Sequence, residues 1–211
     1  MKLHQKNPIR ILKKVVSRLF DAKIERIDDA QFPLHFPEAL KEIYEIDAHF
    51  SKDCRYETIH FFCNLDRLVK FDKLNLTEKN FEFAHENQNN WACEATLKST
   101  KVYFKNRVEP QKSHYLKENL PNFLTTFALQ EIAYNLKKYV GLEAKNMDEI
   151  KHHFAKVQLL WSAHYLIYDE PFSYYLVDDD CLVMWAGMPI FATNNQEKFE
   201  YYKNILKHYE F

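Results

Sequence analysis

Ten histidines in 211 residues invite a metal or acid–base reading, yet their neighbours do not sustain it. At His85 the run HENQN lacks the second histidine of a metalloprotease helix and reads as the end of a strand. His152 and His153 are adjacent, and adjacent side chains on a helix diverge too far to share a metal. His208 and Glu210 match half of a zinc-deaminase signature whose PCxxC half is absent. Ser162 and His164 lie close together with no strained nucleophile turn beside them. Carboxylates pair at Asp28 and Asp29, at Asp169 and Glu170, and from Asp178 to Asp180. Acid–base work needs facing carboxylates in a pocket, whereas adjacent acids at a turn are ordinarily solvated.

Glycine gives a firmer exclusion. The chain has two, Gly141 and Gly187, so no Walker loop, GxGxxG turn or GxSxG elbow can be assembled from it. These absences point to a protein that binds and does not catalyse, with no catalytic residue, cofactor or metal. The enzymatic alternative is a hydrolase built on His85, Glu86 and one further group, which requires a concave pocket around His85.

The four cysteines, Cys54, Cys63, Cys93 and Cys181, form no CxxC pair and no dense framework, which suits reduced thiols in a cytoplasm. Lysine and arginine interrupt the opening MKLHQKNPIRILKKVV, so it lacks the apolar core of a signal peptide. The apolar run from Cys181 to Ala192 is short of the roughly 20 residues of a membrane helix and contains Pro189. A soluble, cytoplasmic chain is expected, and 1–211 reads as a single domain, with 1–30 an N-terminal helical segment and 195–211 a C-terminal helix.

The elements that would position a site follow from periodicity. Ile9, Leu12, Val16 and Leu19 share one face of a helix from Pro8 to Phe20. FPEALKEIYEI makes a second, with Leu40, Ile43 and Tyr44 inward. ETIHFFC reads as a strand and Leu65 to Val69 as a helical turn. FEFAHE and WACEAT alternate as a hairpin whose loop contains Asn89 and Asn90, residues that tolerate the left-handed conformation, and VYF adds a third strand. NLPNFLTTFALQEIAYNLKKY is the strongest helix, capped by Asn119, apolar over a wide face, with lysines in its last turn and Gly141 just beyond. A short helix near Met147 to Phe154 precedes strands QLLW, HYLIY, FSYYLV and CLVMWA, the last two joined at Asp178 to Asp180. A helix from Asn195 to Tyr209 closes the chain. The fold class is α+β, a mostly antiparallel sheet packed against helices.

Charge is distributed unevenly. Between Val157 and Gln196 there is no lysine or arginine, while five acids and several aromatic residues occur there. Aromatic side chains beside charge are common material for interfaces, so Tyr168, Asp169, Glu170, Tyr174, Tyr175, Asp178, Asp179 and Asp180 form the candidate partner-binding set; the alternative is that these aromatics fill the core and the acids solubilise a hairpin tip. Their sign suits a partner with a basic surface. The basic N-terminal segment carries no nucleic-acid recognition motif and reads as a solvated amphipathic face, so neither nucleic acid nor a membrane is expected as a partner.

Three motifs occur in a suggestive order: FPEALKEIY, then FEFAHENQNNW followed by a V-Y strand, then LPNFLTTFALQEI. Over about residues 36–132 the chain resembles the SUKH superfamily, which includes fungal cell-wall-synthesis regulators and bacterial toxin-immunity proteins. It departs from the family in having Asn89 and Asn90 where glycine is common, and in lacking a glycine near Ala48 and His49. The resemblance implies a SUKH-like single domain without a cofactor. It also implies a bacterial immunity protein of a polymorphic or contact-dependent toxin system, neutralising a cognate protein toxin, often a nuclease, by occlusion. A SUKH-type regulatory scaffold with a self partner is the alternative within the family. Glu86, Asn87, Gln88 and Trp91 carry the family motif, where they are expected to fix the hairpin.

Overall fold

The structure is a computed structural model that describes residues 8–51, 62, 66–76, 79–142, 144–186 and 189–206. Helix α1 (Pro8–Leu19) buries Ile9, Leu12, Val16 and Leu19, and α2 (Glu38–Ser51) buries Leu40, Ile43 and Tyr44, as the spacing requires. Strands β1 (Asp66–Leu68), β2 (Phe81–Glu86), β3 (Trp91–Thr96), β4 (Ser99–Asn106) and β5 (His114–Asn119) form an antiparallel meander. Of the predicted strand ETIHFFC all but Phe62 lies outside the described residues. The expected helical turn near Leu65 is instead β1 over its described part, paired along β2 from Asp66 opposite Glu86 to Leu68 opposite Ala84.

Helix α3 (Leu120–Asn135) follows β5 directly. The Asn119 side chain caps it, accepting from the Asn122 amide at 3.0 Å, and Pro121 occupies the first turn. Asn119→Ala should cost about 1 kcal/mol in urea denaturation, and an unchanged midpoint would deny the cap its role. The lysines and Gly141 do not end this helix. Leu136 turns to extended backbone at ψ 140°, and Lys138–Gly141 forms β6. Tyr139 and Val140 in a β-prone run gain a ladder there, with Val140 opposite Phe191.

A short helix α4 (Met147–Ile150) leads into β7 (Val157–Ala163), β8 (Phe172–Val177), β9 (Cys181–Trp185), β10 (Ile190–Thr193) and α5 (Gln196–Ile205). The second antiparallel sheet has the order β6-β10-β9-β8-β7. HYLIY is not a strand: β7 stops at Ala163, the Tyr168 amide donates to the Tyr165 carbonyl at 3.1 Å, and Leu166 takes a left-handed φ of 51°.

Helix α3 touches both sheets as well as α1 and α2, and every residue from Phe123 to Ala133 is buried. One core cluster joins α1, α2, α3, the inner face of the first sheet and one face of the second. The other face of the second sheet buries Val177, Cys181, Val183 and Phe191 beneath α4 and α5. The fold is α+β with two antiparallel sheets, and no helix among the described residues is long and apolar enough to cross a membrane.

Candidate partner-binding cleft

The loop between β7 and β8 faces the β2–β3 hairpin across a cleft of about 410 Å³. Glu86, Asn87, Gln88 and Trp91 line it from the hairpin. Tyr165, Leu166, Tyr168 and Phe172 line it from the loop and the start of β8, and Gln130 and Tyr134 from α3. Motif residues and an aromatic residue from the acidic stretch, remote in sequence, therefore share one surface.

Each wall is held locally. Asn89 adopts φ 66°, the left-handed turn expected of it, and its amide donates to the Glu86 carbonyl at 2.9 Å. A Glu86 carboxylate oxygen accepts from the Asn90 amide at 3.1 Å, and Gln88 Oε1 accepts from the Asn90 side chain at 3.4 Å. The Arg107 guanidinium bridges Glu82 and Asn89, while its amide donates to the Asn90 carbonyl at 2.8 Å. Opposite, Tyr168 packs on Phe172 at 5.2 Å and remains 55% exposed, presenting an aromatic edge at the rim beside exposed Asp169 and Glu170.

Asp66 lies at the cleft base, 6% exposed. Its Oδ2 accepts from the buried Tyr165 hydroxyl at 2.5 Å, and its own amide donates to Glu131 Oε1 at 3.0 Å. Burial raises its carboxyl to about 6, against the opposing Tyr165 hydrogen bond and with help from the Glu86 charge. Nothing in the sequence singled out Asp66. Gln130, 7% exposed, places its Oε1 without a hydrogen-bond partner. Among the described residues no lysine, arginine or histidine lines the cleft.

The candidate set does not form one surface. Tyr174 is wholly buried, its hydroxyl donating to the Thr126 carbonyl at 3.1 Å, so it belongs to the core. Tyr175 is half-buried on the opposite face of β8, against the α4–α5 cluster. Asp178, Asp179 and Asp180 occupy the far end of β8, roughly 20 Å along the strand from Phe172.

Nor are Asp179 and Asp180 free of cations, and the Asp178 carboxylate is engaged by neutral donors. Asp179 meets Lys156 at 2.6 Å and Arg18 at 3.8 Å, Asp180 meets Lys198 at 2.5 Å, and Asp178 accepts from the Tyr202 hydroxyl and the Lys156 amide. The hydrogen bond from Lys156 holds Asp179 below its ordinary value. Asp178 and Asp179 also take φ of 49° and 68° in the turn. The stretch lacks cations in sequence, but chain folding supplies them from α1, α5 and the segment before β7.

His85 Nδ1 lies 3.3 Å from Asn89 Oδ1, and His85 is not among the residues lining the cleft, although Glu86 is. Ser162 meets Ser173 at 2.9 Å while His164 lies 3.8 Å from Glu118, so Ser162 and His164 engage different partners. Cys93 and Cys181 are free and buried, and burial raises both thiols, Cys181 to about 12. Among the described residues no three His, Cys, Asp or Glu side chains gather as a metal site. No family model, curated protein or solved structure matches the chain.

Proposed function

We propose that this chain is an immunity-type binding protein that neutralises a protein toxin by occlusion, with the cleft between the β2–β3 hairpin and the β7–β8 loop as its docking surface. The observation that carries this reading is the convergence of Glu86, Asn87, Gln88 and Trp91 with Tyr168 on one concave surface. A rim tyrosine that is already packed on Phe172 can anchor a partner at small entropic cost, and the flanking Asp169 and Glu170 favour a basic one. The reading also rests on the SUKH-like order of motifs.

The test is co-expression with the product of the adjacent gene, scoring survival and complex formation. Wild-type protein should protect, and Tyr168→Ala should weaken the complex by about 2 kcal/mol, roughly thirtyfold. Tyr201→Ala, an equally exposed tyrosine on α5 at 60%, should leave it unchanged. Absence of both protection and a complex would remove the immunity reading. Equal losses from the two tyrosines would remove the cleft from it.

A further inference from the structure

Resting on that docking surface, we infer that the cleft receives one arginine side chain of the protein partner, its guanidinium directed at Asp66, Glu86 and Gln130. Three observations converge on this chemistry. First, among the described residues the cleft presents two carboxylates and no cationic side chain, unlike the Asp178–Asp180 turn, where Lys156, Arg18 and Lys198 already pair with Asp179 and Asp180. Second, Gln130 Oε1 is buried without a donor, an acceptor that a bound N–H would satisfy. Third, the walls are flat rings, Trp91, Tyr134, Tyr168 and Phe172.

A guanidinium is planar, carries five donors and stacks on aromatic faces, so it can meet several separated acceptors between rings. An ammonium would satisfy the charge while using the rings and spaced acceptors less completely. The volume, about 410 Å³, lies toward the lower part of the ~300–1,000 Å³ range of ligand pockets, which suits one side chain better than a folded segment.

The groups facing Asp66 are the Tyr165 hydroxyl, Glu86, Glu131, the Cys93 thiol and the Tyr174 hydroxyl. Among the described residues none of these is a cation, so no ion pair there competes for its carboxylate, and the Tyr165 hydroxyl engages one of its two oxygens. Arginine binding requires that carboxylate ionised and should therefore weaken as pH falls through about 6.

The probe is the capped peptide acetyl-Gly-Arg-Gly-amide, titrated into the full chain and followed by calorimetry and by the tryptophan indole N–H resonances. Citrulline, which replaces the charged guanidinium with a neutral urea of similar shape, and lysine in the same peptide are the comparisons. The arginine peptide should shift Trp91 while leaving Trp161, whose indole is held by Thr126 at 2.9 Å. The citrulline peptide should bind at least ~10-fold more weakly, lysine should fall between, and Gln130→Ala should weaken arginine binding. Moving from about pH 7.5 to about pH 5 should weaken the arginine peptide about tenfold.

Equal binding of arginine and citrulline, or no Trp91 response, would overturn the proposal. So would tighter binding of free arginine than of the capped peptide, because its termini would then be part of what is recognised. Peptide binding without protection from a toxin would leave the arginine site standing and remove the immunity reading. Protection without arginine discrimination would do the reverse.

Discussion

Asp66→Asn should make the protein more stable at neutral pH, although it removes a charge from the base of the cleft. The carboxyl moves from 3.8 to about 6 on folding because burial opposes its ionised form. That displacement corresponds to at most about 3 kcal/mol of lost stability once the group is ionised in both states, so a gain of about 1–3 kcal/mol is expected. Asparagine keeps an oxygen for the Tyr165 hydroxyl. The sign is specific. Above about pH 6 the wild type bears the full penalty, and between about 6 and 3.8 the native state takes up a proton before the unfolded chain does, restoring stability. Urea denaturation should show the largest gap near pH 8 and a much smaller one near pH 4. A less stable variant near pH 8 would mean that the carboxylate's hydrogen bonds outweigh its burial.

Phe123→Ala should destabilise most, by about 3–5 kcal/mol. The ring is wholly buried near the start of α3 and meets Phe83 edge-on at 5.7 Å, Tyr165 stacked at 5.4 Å and Phe127 at 6.3 Å. Its loss opens a void where the central helix joins the first sheet to the cleft. For a chain of this size the melting temperature should fall by about 10 °C. Phe123→Leu, which refills part of the volume, should lose less than half as much. A drop below ~1 kcal/mol for the alanine variant would show that the surroundings collapse onto the gap, contrary to a close-packed core.

Legibility in the sequence tracked how each element meets solvent. The faces of α1, α2 and α5 and the alternation of β2 and β3 could be read because one side is buried and the other more exposed, and in β8 the buried Phe172, Tyr174 and Leu176 alternate with the less buried Ser173 and Tyr175. Strand β10 was concealed in the opposite way: all four residues, Ile190 to Thr193, are buried, and they continue the apolar run of β9. Strand β5 could not be read because it is an edge with little buried surface, leaving HYLKEN no apolar period. HYLIY is a β-prone aromatic and aliphatic run, but Tyr165 leaves the sheet to reach Asp66 from across the fold.

The candidate site divided along the same line. The hairpin Glu86–Trp91 is local chemistry, legible in sequence, and it does line the cleft. Asp66 and Gln130 have no local signal, since their interest comes from burial beside residues contributed by the other half of the chain. The acidic turn misled because counting charges along the chain cannot see that Arg18, Lys156 and Lys198 converge on it.

Helix α3 has a consequence for biosynthesis. Because it is buried on every side from Phe123 to Ala133, it cannot be shielded by the first sheet alone, and the strands that cover its remaining face are made later. A nascent chain that has emerged only as far as β6 carries a complete meander with a sticky central rod still bare. Synthesis of β7 to β10, more than the forming of any earlier element, is then the step at which that face of the helix is covered.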